Sequence, residues 1–566
     1  MAEQPAVYEH VIPEIENWPI YRLSENRREF VEEIIEFTRE RLMEKGGVEL
    51  TDLIAKTIYL ERIRMKEEPW KVDPPNERQF WRKVQQKLVG QSLDRSADEA
   101  LQANEEILGQ ILRRYAEEIV GTFRVKTFLF ARRFLTIFFT RLLNTAASKN
   151  WRGLWGSKYR LQDRLLVKGQ VEQVRALIQK GTVVIVPTHF SNLDSILIGY
   201  AMDAFAGLPS FSYGAGLNLY NTGYTAYFMN RLGAYRVDRR KKNPIYLEAL
   251  KAMSNLSIQR GVNSLFFPGG TRSRSGSIET KLKLGLMSSV LEAQREALQR
   301  GNERKIFIVP LVISYHFVLE APFLIEQHLK IIGKERYIRS KDDFYNAGKL
   351  LKFAWKVFSE SNDITLSFGQ PLDVLGNAVD LEGNSFDQHG NPIDIKDYFL
   401  SKGEVVADLQ RESEYTKILG ERILERFFKD NIVLSSHIVA FAAFQLLKSQ
   451  NSKLDLYGIL RLPPDDYVFP AEALEDLVEQ IQAMLVEMEK QGEVRLSEQI
   501  HWSARQLIQD GLRHLGTYHL AKPLRFNRKG QIVSDSFKVL YFYHNRLHGY
   551  GLAEKVNWKK YVLEMA

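Results

Sequence analysis

The chain has 566 residues, of which 45% are hydrophobic and 26% charged, and its net charge of +8 favours an anionic partner such as nucleic acid, an anionic membrane or a phosphorylated metabolite. It contains no cysteine, which excludes disulfides, thiolate metal ligands and cysteine nucleophiles, and which fits a cytoplasmic protein. No apolar run approaches the roughly 20 residues that a membrane-spanning helix needs, and the acidic, proline-broken segment 1–18 does not resemble a secretory signal.

Residues 1–120 are mostly polar, and their apolar residues recur near the 3.6-residue helical period, for example in Glu25–Lys45. A proline-rich break, EPWKVDPPNE, separates two of the predicted helices. Nothing in this region has the pattern of a catalytic site. We therefore expect an N-terminal helical region that caps or regulates another domain.

The segment 121–164 opens with a stretch, Gly121–Ser148, that is rich in phenylalanine and carries only basic charges. Aromatic rings enter the headgroup boundary of a bilayer and cations meet anionic lipid, so this composition favours an amphipathic helix lying on a membrane surface. The alternative is a core helix packed under the next domain, with its arginines extending outward. We expect a membrane-interface segment and a protein held peripherally on the cytoplasmic face of a membrane.

Residues 165–375 alternate between predicted strands and helices, which indicates an α/β fold with a central, mostly parallel sheet and flanking helices. Three predicted strands end at a proline and lead into a loop or turn: Val183–Val186, Leu265–Phe267 and Ile306–Val309. A last strand is predicted at Ile364–Phe368. We expect these loops to form one active edge of the sheet. Residues 376–566 are predicted to form a C-terminal, mainly helical region.

The loop after the first of these strands contains His189 and, five positions on, Asp194. In such a turn the carboxylate can bond one imidazole nitrogen and leave the other free to take a proton, as a general base does. The same spacing recurs at His389 and Asp394, but no strand precedes that pair, and we interpret it as a coincidence in a polar loop. His189 is therefore the candidate base, with a structural histidine as the alternative.

The second predicted strand leads into Leu265–Gly276, LFFPGGTRSRSG. Its paired glycines permit the positive φ angles that turn backbone N–H groups toward an anion. Side-chain donors follow at once: Thr271, Arg272 and Arg274. The segment predicts an anion-binding loop, with a solvated basic loop as the alternative. It does not match a nucleoside-triphosphate loop, because no Gly-Lys-Ser/Thr follows.

Between these two loops lies Leu232–Arg240, LGAYRVDRR, which adds Arg236, Arg239 and Arg240 as further candidate phosphate contacts. Tyr235 and Val237 alternate with Arg236 in the two-residue period of a strand. Some of these side chains must therefore point away from any shared site.

The four segments resemble, in order and spacing, the four sequence blocks of the glycerolipid acyltransferases: HFSNLD, GAYRVDRR, FPGGTRSRSG and IVPLVISY. Those enzymes acylate glycerol-3-phosphate or lysophosphatidate from acyl-CoA or acyl carrier protein, and the resemblance covers about 165–375. It implies that His189 is the general base, assisted by Asp194. It further implies phosphate binding by Arg239, Gly270 and Arg272, with Pro310 shaping the pocket. We add Arg236, Thr271 and Arg274 to the candidate phosphate-binding residues.

The chain departs from the resemblance at Gly269, where block III usually has glutamate, so the role of that glutamate is absent or supplied elsewhere. The ending Val237–Arg240 resembles the lysophosphatidate branch. The length, the flanking helical regions and Lys283–Met287 instead resemble the glycerol-3-phosphate branch. We therefore expect fatty acyl transfer to the sn-1 hydroxyl of glycerol-3-phosphate, giving lysophosphatidate in phospholipid biosynthesis, with 1-acylglycerol-3-phosphate acylation as the alternative.

Transfer from a thioester needs no enzyme nucleophile, because a deprotonated acceptor hydroxyl can attack directly while the thiolate leaves. Ser191 lacks the G-x-S-x-G context of a covalent nucleophile. We expect no cofactor and no metal, an acyl-CoA or acyl carrier protein donor, an anionic membrane surface as partner, and no nucleic acid, since no binding module is recognisable. A non-catalytic peripheral membrane protein that binds lipid is the alternative from a different class.

Overall fold

The computed structural model describes residues 7–43, 47–90, 97–144, 164–220, 223–332, 363–464 and 467–561. Six helices precede the sheet in this part of the chain: α1 Pro19–Glu25, α2 Arg27–Met43, α3 Gly47–Glu67, α4 Glu77–Val89, α5 Ala97–Ile119 and α6 Val125–Asn144. Short 3-10 helices occur throughout, at Ile15–Asn17, Leu217–Tyr220, Ile395–Phe399, Glu498–His501, Asn545–Tyr550, Ala553–Lys555 and Trp558–Lys560.

A seven-stranded sheet forms the centre of the chain, with its strands in the order β1-β7-β6-β2-β5-β3-β4. The strands are β1 Leu165–Gly169, β2 Gly181–Pro187, β3 Ser212–Gly216, β4 Ala234–Val237, β5 Ser264–Leu265, β6 Lys305–Tyr315 and β7 Ile364–Phe368. The helices among them are α7 Val171–Lys180, α8 Asp194–Ala204, α9 Gly223–Met229, α10 Pro244–Gln259, α11 Gly285–Gln299 and α12 Ala321–Ile332. Neighbouring strands are parallel except β6 and β7. The predicted α/β class with a mostly parallel sheet is confirmed.

Strand β2 lies in the middle of the sheet, between β6 and β5, and all its residues are buried. A parallel strand that is covered on both faces needs a continuous apolar run, which is why Val183–Val186 predicted it. The position at which helix α10 begins is also explained by the local sequence. The Asn243 side chain accepts a hydrogen bond from the Tyr246 N–H, and Pro244 occupies the first helical position.

The predicted end of a strand at Pro310 is wrong, because β6 continues through Pro310 to Tyr315. It pairs in parallel with β2 as far as Leu311 and antiparallel with β7 from Leu311 onward. Proline has no N–H to donate, but the Pro310 carbonyl accepts a hydrogen bond from Gly369 N–H at 2.8 Å. A second partner strand thus carries β6 past a residue that commonly ends a ladder.

The N-terminal helices α2, α3 and α5 pack on α10 and form a hydrophobic core with it. Phe30, Ile54 and Tyr115 from these helices lie in that core with Tyr246 and Ala249 of α10. These helices therefore cover the face of α10 that would otherwise expose apolar surface to water.

The C-terminal region contains helices and short strands. The helices are α13 Leu409–Lys429, α14 Ser435–Gln450, α15 Leu456–Leu460, α16 Ala471–Lys490, α17 Ala504–His514 and α18 Phe537–His544. The strands are β8 Ala378–Val379, β9 Ser385–Phe386, β10 Pro392–Ile393, β11 Leu400–Ser401, β12 Glu404–Val405, β13 Ile432–Val433, β14 Val468–Phe469, β15 Arg495–Leu496, β16 Arg525–Phe526 and β17 Ile532–Val533. Phe441, Leu477 and Leu540 of this region share one hydrophobic core with Val184 of β2. The region therefore packs directly on the sheet.

A short internal repeat, which the sequence analysis missed, follows the sheet. Asp373, Asp380 and Asp387 each begin a D-x-x-G-N unit, and each aspartate accepts hydrogen bonds from the N–H groups two and four positions later. The turns carry the three-stranded antiparallel sheet β10-β9-β8. His389 lies exposed in the third turn, which agrees with its interpretation as part of a polar loop.

Helix α6 leaves a continuous apolar stripe exposed, since Leu129, Phe130, Phe134 and Ile137 are between 45% and 59% exposed. Phe139, on the opposite face, is buried in the core. No helix in the described part of the chain combines the length and the hydropathy needed to cross a bilayer. Residues 145–163 of the predicted membrane-interface segment lie outside the described residues.

Candidate active site

The loop between β2 and α8 places His189 next to Asp194. Asp194 is the first residue of α8 and is fully buried, and its Oδ2 lies 2.8 Å from Nδ1 of His189. An ionised carboxylate can only accept, so Nδ1 carries the proton and Nε2 is the basic nitrogen of the ring. Nε2 has no hydrogen-bond partner among the described residues, and the imidazole is 15% exposed. His189 can therefore receive a proton from a bound molecule.

Three further donors hold the Asp194 carboxylate. Its Oδ2 accepts the N–H groups of Phe190 at 2.6 Å and Ser191 at 2.9 Å, and its Oδ1 accepts the Tyr315 hydroxyl at 2.6 Å. Burial and the neighbouring Asp194 raise the pKa of Tyr315 well above its usual value, so this hydroxyl stays a donor. Hydrogen bonds to the charged form compensate for the burial of the Asp194 carboxylate.

The loop after β5 fixes His189 from several sides. The imidazole stacks on Phe267 with 4.0 Å between ring centroids. The backbone N–H of His189 donates to Glu279 Oε1 at 2.8 Å, and its carbonyl accepts from Ser273 N–H at 2.7 Å. Two sequence segments that were predicted separately thus form one site.

Two of the predicted phosphate-binding arginines follow strands of the sheet, Arg239 after β4 and Arg272 after β5. Although Arg239 is exposed overall, burial of its guanidinium lowers its pKa, and the nearby charge of Arg272 lowers the pKa further. Gly270 has a φ of +75°, and a Cβ built there would lie 3.1 Å from Nζ of Lys283. The charges of Arg239 and Arg272 repel one another, and a bound dianion would relieve that repulsion. The geometry favours a phosphate site near the His189 base.

Comparison with known proteins bears on this geometry. The family model described as Acyltransferase matches residues 168–314, which include His189, Arg272 and most of the sheet. Over these residues the α/β domain is similar to the acyltransferase family, and we call it the acyltransferase domain. The glycerolipid acyltransferase resemblance predicted from the four blocks is thereby supported by an independent family match.

Curated relatives that match this chain carry the name glycerol-3-phosphate acyltransferase. The protein of Aeromonas hydrophila is 33% identical over 169 residues, which is 30% of this chain and 20% of that relative. The protein of Pseudoalteromonas atlantica is 26% identical over 50% of this chain and 31% of its own length. The protein of Haemophilus ducreyi is 26% identical over 55% of this chain and 36% of its own length. The matched regions therefore span about a fifth to a third of these relatives.

Within the acyltransferase domain, two further arginines that were predicted to bind phosphate have other neighbours. Arg236 is on the edge strand β4, where its guanidinium packs over the Tyr220 ring at 4.5 Å. Arg274 is exposed beside His328 of α12, and its charge adds to burial in lowering the pKa of that histidine.

The other predicted residues have mixed placements. Thr271 is exposed at the tip of the loop between Gly270 and Arg272. Pro310 is buried in the interior of β6 and pairs with Val186 of β2, so it supports the strand before His189 from inside the sheet.

Sequence reasoning missed several residues that surround the site of the acyltransferase domain. Glu320 accepts hydrogen bonds from the Ser191 hydroxyl and the Asn192 N–H, both at 2.9 Å, and pairs with Arg272 at 3.2 Å. Arg546 lies fully buried with its guanidinium 4.3 Å over the ring of Phe190. Tyr315 ends the quoted block IV and could have been found there. Arg546 could not, because it lies far along the chain with no local motif.

Proposed function

We propose that the chain transfers a fatty acyl group from acyl-CoA or acyl carrier protein to the sn-1 hydroxyl of glycerol-3-phosphate, giving lysophosphatidate. The observation that carries the proposal is the position of the His189–Asp194 pair beside the cationic site of Arg239 and Arg272. The names of the matching relatives support the same acceptor. Phospholipid biosynthesis is the setting in which such a product is used.

The proposed reaction needs one base and one anion site. Nε2 of His189 takes the proton of the acceptor hydroxyl as its oxygen attacks the thioester carbonyl carbon. The carbon–sulfur bond then breaks, and the thiolate leaves and takes up the proton from the imidazolium. Asp194 keeps the proton on Nδ1 and stabilises the positive ring, while Arg239 and Arg272 hold the phosphate of the acceptor. No cofactor takes part in this scheme.

We infer that Ser191 has no nucleophilic role. Its hydroxyl donates to the Glu320 carboxylate at 2.9 Å, whereas an activated serine nucleophile donates to a histidine base. The bond instead ties the loop after His189 to the residue that pairs with Arg272. This supports direct transfer to the acceptor.

We further propose that α6 docks peripherally on an anionic bilayer at the cytoplasmic face of a membrane. The exposed Phe130, Phe134 and Ile137 follow the helical period, and Lys126 and Arg133 are exposed on the same side. Phe130 also stacks on Phe228 of α9, with 6.0 Å between ring centroids. Docking by this surface would bring the site to the boundary where a long acyl chain would be delivered.

The test is the release of free thiol from long-chain acyl-CoA by the purified full chain, with and without glycerol-3-phosphate. We expect release that depends on glycerol-3-phosphate, a loss of about 10²–10⁴-fold in His189→Ala, and wild-type activity in the matched control His389→Ala. Faster release with 1-acylglycerol-3-phosphate would favour the alternative acceptor. No thiol release with either acceptor or with an acyl carrier protein donor would favour a non-catalytic lipid-binding protein.

A further inference from the structure

The turn after β5 lacks a side chain at the position nearest to Glu279. A Cβ built on Gly269 would lie 3.1 Å from Cγ of Glu279 and 3.5 Å from its Oε1. Gly269 is not among the residues with positive φ, so its backbone can accommodate any L-residue. The neighbour that limits a side chain at position 269 is therefore Glu279 itself, which fills the adjoining space from ten positions further along the chain.

Glu279 uses this place to bond the backbone of the candidate base. Its Oε1 accepts the His189 N–H at 2.8 Å. His189 lies two residues beyond the end of β2, so strand pairing does not fix its N–H. The carboxylate thus occupies the point where the loop carrying His189 leaves the sheet, and a shift there would move the imidazole directly.

The second oxygen of Glu279 is an unusual group to retain in a folded protein. Oε2 is buried and has no hydrogen-bond partner in the described ranges. Burial raises the pKa of Glu279 to about 7, while the His189 N–H and the buried Arg546 act in the opposite direction. Burying Oε2 without a partner costs free energy, and the hydrogen bond from the His189 N–H to Oε1 offsets part of that cost.

We propose that Glu279 is a positioning residue for His189. In this proposal Gly269 and Glu279 depend on each other: the Glu279 carboxylate can reach the site only because position 269 has no side chain. The proposal rests on the proposed acyltransferase function. It also accounts for the departure of block III, where the resembling enzymes usually have glutamate at the position of Gly269. The carboxyl group is then not lost from the site but supplied by the segment that follows.

Single substitutions test the first half of the proposal. Glu279→Ala removes the acceptor of the His189 N–H, so we expect kcat to fall about 10- to 100-fold with the KM for glycerol-3-phosphate within about twofold. Glu279→Gln keeps an oxygen acceptor, so it should hold kcat within about threefold of wild type. The exposed Glu303→Ala is the matched control and should leave both constants unchanged. An equal loss in Glu279→Gln and Glu279→Ala would overturn the positioning role.

The double substitution tests the second half. Gly269→Glu alone should lower activity, since its side chain meets that of Glu279. In Gly269→Glu/Glu279→Ala the new carboxylate can enter the vacated space, and we expect kcat at least about tenfold above Glu279→Ala. Gly269→Ala/Glu279→Ala restores volume without a carboxylate and should give no rescue. A double variant with glutamate at 269 that is no better than Glu279→Ala would show that the positions are independent.

A readout without turnover separates this proposal from the proposed function. In protein with labelled histidine, the His189 imidazole signals can be assigned by their loss in His189→Gln and titrated by NMR. We expect the His189 titration to change in Glu279→Ala and to return toward wild type in Gly269→Glu/Glu279→Ala. Wild-type protein without acyl transfer would defeat the proposed function, while an unchanged His189 titration in folded Glu279→Ala would defeat the positioning role.

Discussion

At the scale of single residues, Asp194 carries the greatest structural demand, because a fully buried carboxylate must satisfy four donors at once. Asp194→Asn replaces one acceptor oxygen by an NH₂ group that faces donors from the loop, the imidazole or Tyr315. We expect kcat to fall by about 10²–10⁴-fold, because the imidazole loses the partner that fixes its tautomer. Steady-state kinetics of acyl transfer measure this loss of kcat. Asp394→Asn, in the second histidine–aspartate match, is the control, and a variant at 194 with more than a tenth of wild-type kcat would contradict the pair.

Arg272 tests the anion site. Arg272→Ala should raise the KM for glycerol-3-phosphate by about one to two decades, since a charge-assisted hydrogen bond contributes roughly 1.5–3 kcal/mol. Arg272→Lys should recover only part, because an ammonium cannot make two parallel bonds to phosphate. Arg274→Ala, at the exposed position beside His328, should have a much smaller effect. A rise in the donor KM with the acceptor KM unchanged would mean that the loop binds phosphates of the acyl donor.

At the scale of elements, α6 tests the membrane proposal. Phe130→Ser/Phe134→Ser removes the exposed rings, so we expect the protein to move from pellet to supernatant in cosedimentation with anionic phospholipid vesicles. Leu520→Ser is the control, since Leu520 is 91% exposed but lies far from α6 in the chain. Arg132 is a poor choice for charge reversal because it pairs with Asp203 at 2.6 Å, whereas Arg133 is exposed. Unchanged sedimentation of the folded double variant would leave α6 as a packing helix.

The contact between the loop after β5 and α18 gives another element-scale prediction. Gly276 has a φ of +87°, and a Cβ there would lie 2.1 Å from the Phe542 carbonyl oxygen. Gly276→Ala should lower the thermal midpoint well below that of Gly390→Ala. Gly390 has a similar φ of +83° with open space around it, so its substitution reports only the backbone cost of about 1–2 kcal/mol. Equal midpoints for the two variants would contradict a close fit between the loop and α18.

At the scale of the whole molecule, local sequence patterns predicted individual helices and strands. They did not predict features that depend on contacts between residues far apart in the chain. The run Val183–Val186 contains the information for β2, which was therefore predicted from sequence, and the Asn243–Pro244 cap contains the information for the start of α10. The end of β6 was predicted wrongly because the partner that extends it, β7, lies elsewhere in the chain. Arg546 likewise reaches Phe190 across several hundred residues, and no local pattern records such a contact.

The shared core also explains why the C-terminal region bears on the acyltransferase domain. Asn545 donates to the Ser275 carbonyl at 2.9 Å, and Arg546 bonds the Ile313 carbonyl of β6 at 2.8 Å. The loop after β5 is therefore held by the sheet on one side and by the end of α18 on the other. Loss of this region would expose core surface and release the loop that holds His189.

Acid sensitivity is a property of the whole molecule that follows from its buried histidines. Burial lowers the pKa of His316 and His544 to about 3, so both stay neutral in the folded chain. The unfolded chain binds their protons below a pH of about 6.5, so their stabilisation is complete above that pH and is lost as the pH falls. Glu279 acts in the opposite sense. Its pKa is raised to about 7, so the folded state binds its proton more tightly than the unfolded state does, and this stabilisation is lost as the pH rises from about 4.5 to 7.

Chemical denaturation at pH 5 and 7.5 measures the balance. On going from pH 7.5 to pH 5, each histidine should lower the free energy of unfolding by about 2 kcal/mol, and Glu279 should raise it by a similar amount. The two histidines together outweigh Glu279, so the wild type should be less stable at pH 5. His544→Gln removes one titrating group, so its loss between the two pH values should be about 2 kcal/mol smaller than that of wild type. His389→Gln, at an exposed turn, should keep the wild-type difference. The burial argument fails if the 544 and 389 variants show the same dependence on pH.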